Sequence, residues 1–171
     1  MIGRRPRTLS DVAEWSESLE DFGMHLRDWQ HEIERGGVHN RAELARRLEA
    51  APRLLSGQFT DGDVADAYLA AYAEWLADRA GISRPSWCGD RSRAARDPWF
   101  SSPARALLLV RSPGSFRQRN LFAIPEPVFS PRPGRPPVSF EQRREKARLR
   151  QKAYRGRIRE LVQKARTMSE E

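Results

Sequence analysis

The chain has 171 residues, 39% of them hydrophobic and 32% charged, with a formal net charge of +8. That composition suits one domain of ordinary size plus an appendage outside its core. It excludes a membrane span, because no apolar run approaches ~18 residues, and the opening Met1-Ile2-Gly3-Arg4-Arg5-Pro6-Arg7 leads into no apolar signal-peptide core. A single cysteine, Cys88, excludes an internal disulfide framework and fits a reducing compartment, so the expected location is cytoplasmic.

The first helix is predicted over residues 10–35. Leu9, Val12, Trp15, Leu19, Phe22, Leu26, Trp29 and Ile33 follow one another at steps of three and four, which is one face of a helix. Thr8 or Ser10 would cap it, Asp11 and Glu14 would favour its first turn, and Gly36-Gly37 would end it. Asn40 then introduces a second helix, Arg41-Ala42-Glu43-Leu44-Ala45-Arg46-Arg47-Leu48-Glu49-Ala50, with Glu43 at the capping-box position. Pro52, Gly57 and Gly62 interrupt before a third helix over 63–80, which would bury Val64, Tyr68, Leu69, Tyr72, Trp75 and Leu76 and stop at Gly81.

Beyond it, Ser102-Pro103 and Ser112-Pro113 each read as an N-cap followed by proline at the first helical position. Two short helices follow from that, packed through Leu107, Leu108, Val110 and Phe116, with Trp87, Trp99 and Phe100 plugging the core from the preceding loop. Strand signals are nearly absent, so the fold class expected is all-α.

Residues 123–138 hold six of the twelve prolines and read as an extended, polyproline-like connector. Ser139 and Gln142 form a capping box for a last helix over 139–171, whose apolar stripe (Phe140, Ala147, Tyr154, Ile158, Leu161, Ala165, Met168) is narrow. The expected organisation is a helical domain over 8–122, a linker over 123–138 and a basic helical arm over 139–171.

Charge separates along the same line. Residues 1–130 carry 18 basic and 18 acidic side chains, and residues 131–171 carry 13 and 5, so the whole net charge sits in the last 41 residues. Arg143, Arg144, Lys146, Arg148, Arg150, Lys152, Arg155, Arg157 and Arg159 fall within 17 residues, with Tyr154 the one aromatic among them. Such an arm suits phosphate contacts or the groove of a partner protein; with one aromatic it offers little stacking surface for single strands, and the plain alternative is a solvated charged helix.

The inventory for chemistry is thin. His25, His31 and His39 lack metal-ligand spacing, one cysteine completes no zinc site, and no phosphate-binding glycine loop is present, so no metal or cofactor is expected. Asp11, Glu14, Glu17, Glu20, Asp21, Asp28, Glu32 and Glu34 could pair as acids or hold magnesium, but they cover the polar face of the first helix. Glu43 to Leu48 resembles the first helix of a helix-turn-helix, followed by too few residues for a full recognition helix.

Residues 63–122, with Pro98-Trp99-Phe100 ahead of Ser112-Pro113-Gly114-Ser115-Phe116-Arg117-Gln118-Arg119-Asn120-Leu121-Phe122, resemble a bacterial family of small helical, antitoxin-like proteins often fused to helix-turn-helix domains. The resemblance implies a non-enzymatic protein that binds and neutralises a partner toxin enzyme, and it implies no catalytic residues. The alternative is a nucleic-acid-binding regulator acting through the basic arm. This chain departs from the fused pattern in having a proline-linked basic helix after the motif.

Overall fold

The computed structural model describes residues 5–35 and 40–129, together with the single positions Arg148, Gln151 and Tyr154. The chain divides into two units, Met1–Arg132 and Pro133–Glu171. The first is mostly α, with six α-helices and one short 3-10 turn among the described residues.

The long first helix predicted over 10–35 is two helices, α1 (Leu9–Trp15) and α2 (Leu19–Arg35). Thr8 caps α1 through a reciprocal pair: its hydroxyl accepts from the Asp11 N–H at 3.0 Å, and the Asp11 carboxylate accepts from the Thr8 N–H at 3.0 Å. Ser16 and Ser18 make the break. Buried Ser16 turns its hydroxyl back onto the Val12 carbonyl at 2.6 Å, and Ser18 caps α2 by accepting from the Asp21 N–H at 3.0 Å. Arg53 gathers carbonyls around the end of α1, donating to Ala13, Glu14 and Ser16. The apolar stripe survives the break: Leu9, Val12, Phe22, Leu26, Trp29 and Ile33 are all buried in one core.

α3 (Arg41–Glu49) is capped by Asn40, whose side chain accepts from the Ala42 N–H at 2.8 Å. The capping box expected of Glu43 does not form; its carboxylate is held by Arg46 and Arg47 instead, and the Arg47 hydrogen bond keeps it below the usual carboxylate range. No helix follows α3 over 50–61. Buried Pro52 lies in this stretch, and the Asp66 carboxylate takes the N–H groups of Leu55 and Ser56. The element therefore has no recognition helix after its turn, and the helix-turn-helix resemblance ends with α3.

α4 (Gly62–Ala80) is the centre of the domain, with Val64, Leu69, Tyr72 and Leu76 buried and Tyr68 and Trp75 packed against the core. Its alanines are buried on nearly every side, which lets neighbouring elements approach closely. Gly81, at φ +65°, ends it where the sequence predicts. Trp87 enters the core from a 3-10 turn (Ser86–Gly89) and donates its indole N–H to the Leu48 carbonyl at 2.9 Å.

The two serine-proline steps fare differently from their reading as N-caps: the Ser102 hydroxyl accepts from the Ala104 N–H at 3.3 Å, as a cap would, but lies three residues ahead of the helix that begins at Arg105, and Ser112 caps no following helix. α5 (Arg105–Arg111) follows Ala104 without a side-chain cap, and Ser112 closes α5 rather than opening α6 (Gly114–Arg117). Its buried hydroxyl donates to the Leu108 carbonyl at 2.6 Å, and its backbone turns extended as the C-cap of α5. Trp99–Phe100 (β1) pairs in parallel with Leu121–Phe122 (β2), a small piece of sheet where no strand was expected. Residues 123–129, the first part of the predicted connector, contain neither helix nor strand and lie on the domain: Ala123 and Phe129 are buried, and Tyr72 donates its hydroxyl to the Glu126 carbonyl at 2.9 Å. The rest of the connector lies outside the described residues.

Candidate interaction surface

The motif that carries the sequence resemblance builds a joint. Phe116 is fully buried and meets Tyr68 edge-on at 5.2 Å. Arg119 reaches α4: its guanidinium donates to the Glu74 carboxylate at 2.7 Å and to the Cys88 carbonyl at 2.7 Å. Asn120 takes a left-handed backbone, φ 58°, and its amide donates to the Ala95 carbonyl at 2.9 Å. Phe122 stacks on Phe100 at 4.6 Å, so Pro98-Trp99-Phe100 and the end of the motif are locked side by side. These side chains serve architecture, and Arg84 completes it by pairing with Glu74 at 2.7 Å.

What the joint presents is α5. Of its apolar residues only Leu108 is buried; Leu107, Leu109 and Val110 are 47%, 48% and 81% exposed. The expected packing through Leu107 and Val110 is therefore corrected: at helical spacing Leu108 and Ser112 share the docked side, and Ala106, Leu107, Leu109 and Val110 fall on the rest of the circumference. A short helix that is apolar all round belongs in an interior, and among the described residues this one has neighbours on one side alone. Arg105 leans over the Phe100 ring at 5.0 Å, and Arg111 closes the last turn. From Pro98 to Pro125 the chain contains four arginines and no acidic residue.

A separate groove of about 350 Å³ runs between α2 and α4, with Phe22, Leu26, Tyr68 and Trp99 among its walls and Arg27 and Glu126 at its edge. A polar hollow at the start of α4 gathers Asp61, Asp63 and Asp97, but the Asp63 carboxylate already accepts the Arg96 N–H at 2.8 Å. Among the described residues no group of three His, Cys, Asp or Glu side chains could hold a metal. The acids of α1 and α2 do not converge: Asp11 is a cap, and Glu14, Glu17, Glu20 and Glu34 are separately exposed. His25 packs edge-on to Trp15, His31 is exposed, and His39 lies outside the described residues. Burial pushes the Cys88 thiol up to about 11, which keeps it protonated at neutral pH.

Of the arm residues singled out by charge, Arg148 and Tyr154 are helical and exposed. Arg143, Arg144, Lys146, Arg150, Lys152, Arg155, Arg157 and Arg159 lie outside the described residues. No helix among the described residues is long and apolar enough to cross a membrane. No protein-family model, curated protein or solved structure matches the chain.

Proposed function

We propose that this chain is a non-enzymatic, cytoplasmic binding protein of the antitoxin-like kind, which holds a partner toxin enzyme inactive by covering its active site. The observation that carries the reading is α5, an apolar helix with three large side chains outside the core and a rigid joint behind it. Solvated apolar side chains clustered on one short helix mark a recognition surface more often than a reaction centre. The resemblance of residues 63–122 supplies the specific form, a protein that neutralises an enzyme.

The test is co-production with any nuclease- or nucleotidyltransferase-like enzyme that a gene beside this one encodes. A stoichiometric complex in which that enzyme has lost its activity supports the reading; an enzyme that stays fully active at saturating amounts of this protein removes it.

A second reading, a nucleic-acid-binding regulator, is favoured by the confinement of the net charge of +8 to residues 131–171. The intact protein would bind mixed DNA or RNA with a log–log salt slope of about −0.9 per phosphate neutralised, and a version ending at Val138 would not. Binding that is unchanged in the shortened version rules the arm out as the contact.

A further inference from the structure

The unpartnered side of α5 has a chemistry that selects its occupant. Val110 at its centre is 81% exposed, and Leu107 and Leu109 flank it at 47% and 48%. Arg105 and Arg111 sit at the two ends of the helix, and Arg117 is exposed on α6 immediately after it. The surrounding segment, Pro98 to Pro125, offers no carboxylate to balance them. Of its arginines, Arg119 is spent internally on Glu74, which leaves Arg105, Arg111 and Arg117 facing outward.

We infer that α5 docks into an apolar groove rimmed by carboxylates on a partner protein. Burying Leu107, Leu109 and Val110 drives association, and the arginines set which grooves are accepted, since charge across an interface governs choice of partner more than raw affinity. A second copy of this chain is a poor occupant. Pairing α5 with itself brings arginine rims together, a like-charge contact between segments that carry no acid of their own from Pro98 to Pro125. The proposal rests on the binding-protein reading and specifies the chemistry of the surface it uses.

The probes are two fluorescein-labelled amphipathic helical peptides that share one leucine face and differ only in carrying flanking glutamates or flanking lysines. Anisotropy titrations of the full chain at low salt are expected to show the glutamate-flanked peptide binding at least tenfold more tightly, with the gap narrowing as salt rises. Val110→Glu should abolish that binding without shifting the thermal melt, because the side chain points into solvent. Arg111→Glu combined with Arg117→Glu should reverse the preference toward the lysine-flanked peptide. Equal binding of both peptides, binding that survives Val110→Glu, or a concentration-dependent dimer that Val110→Glu dissociates each overturns the proposal, the last by naming a second copy as the occupant. The two readings fail separately. A neighbouring enzyme that forms no complex, beside a chain that still discriminates between the peptides through α5, removes the antitoxin reading and leaves the surface. An inactive enzyme complex that Val110→Glu leaves intact, beside peptides that bind equally, does the reverse.

Discussion

Asp66 and Arg93 form an ion pair out of reach of solvent: Nη1 of Arg93 lies 3.7 Å from Oδ1 of Asp66, with the two side chains 5% and 0% exposed. Each does a second task on the same stretch of chain. The Asp66 carboxylate accepts the N–H groups of Leu55 at 3.0 Å and Ser56 at 2.8 Å. Arg93 donates to the Pro52 carbonyl and lies over the Trp87 ring at 5.0 Å. The pair therefore fastens the irregular segment after α3 onto α4.

Replacing Asp66 by Ala leaves Arg93 as a buried charge without a counter-ion and strands two N–H groups. The expected loss is about 3–5 kcal/mol, a large fraction of the stability of an ordinary domain. Urea unfolding reads it as a lower midpoint at an unchanged slope. Asp66→Ala combined with Arg93→Met should lose less than the two single changes summed, because the second substitution removes the stranded charge. A loss below about 1 kcal/mol for Asp66→Ala would show that the pair does not hold the segment.

That attachment illustrates what the sequence displayed and what it hid. The apolar period of α1, α2 and α4, the Asn40 cap and the Gly81 stop are local signals, and the structure places them where they were read. The break between α1 and α2 is made by the hydroxyls of Ser16 and Ser18 and braced from a distance by Arg53, which donates to the carbonyls of Ala13, Glu14 and Ser16; the apolar stripe keeps its spacing across it, so periodicity alone reads one helix. Ser112 looks like the cap of a following helix because its neighbour is proline, yet its hydroxyl is committed backwards to Leu108. The composition of α5 says that the helix is apolar but not how many neighbours it has, so the sequence points it into the core. The absence of any acid from Pro98 to Pro125 is a signal that the sequence does carry. Most of the arm's basic residues lie outside the described residues, so their candidacy rests on charge alone.

Ser18→Ala tests the helix break. The hydroxyl accepts from the Asp21 N–H at 3.0 Å and satisfies one of the open donors of α2. Its removal should cost about 1 kcal/mol, with helical content by circular dichroism nearly unchanged at low temperature. A neutral result would mean that water replaces the cap and that Arg53 alone sets the boundary.

Gly62 opens α4 at a point where a side chain has no room. A Cβ there would lie 2.1 Å from the Leu55 carbonyl oxygen and 2.6 Å from its carbon, both backbone atoms that cannot swing aside. Gly62→Ala should therefore destabilise by about 1–3 kcal/mol despite alanine's better helix propensity. Gly89→Ala, where nothing lies within 4 Å, is the control and should be close to neutral. Equal melts for the two variants would contradict the close approach of Leu55 to the start of α4.

Residues 123–129 offer a test by truncation. Phe129 is 1% exposed in the same core cluster as Tyr72, and the Tyr72 hydroxyl is bonded to Glu126. A chain ending at Phe122 loses Phe129, Ala123 and that hydrogen bond together, and a large buried aromatic alone is worth about 3–5 kcal/mol. A chain ending at Val138 keeps all three. Thermal melts should separate the two truncations by many degrees, and coincident melts would mean that this segment is not part of the stable domain.

The last prediction concerns alkaline pH. Cys88 is 3% exposed, and burial pushes its thiol up to about 11, opposed in part by the nearby Arg119 charge. An unfolded cysteine ionises near its ordinary value of about 8.5. Below that value neither state has lost the proton, and the thiol's contribution to stability is complete. As pH rises from there toward 11 the unfolded chain releases a proton that the folded chain keeps, so stability falls. Tyr68, raised by burial to about 12, acts in the same direction at higher pH, and Tyr72 is raised further for the same reason. Urea midpoints measured from neutral pH to the upper end of that window should decline for the native chain and decline less for Cys88→Ala, the difference isolating the thiol. Labelling with a thiol reagent supplies the independent check, since a thiol held protonated in the core should react far more slowly in the folded protein than in urea. Parallel pH curves for the two proteins, together with rapid labelling of the folded chain, would place Cys88 in contact with water and overturn its burial.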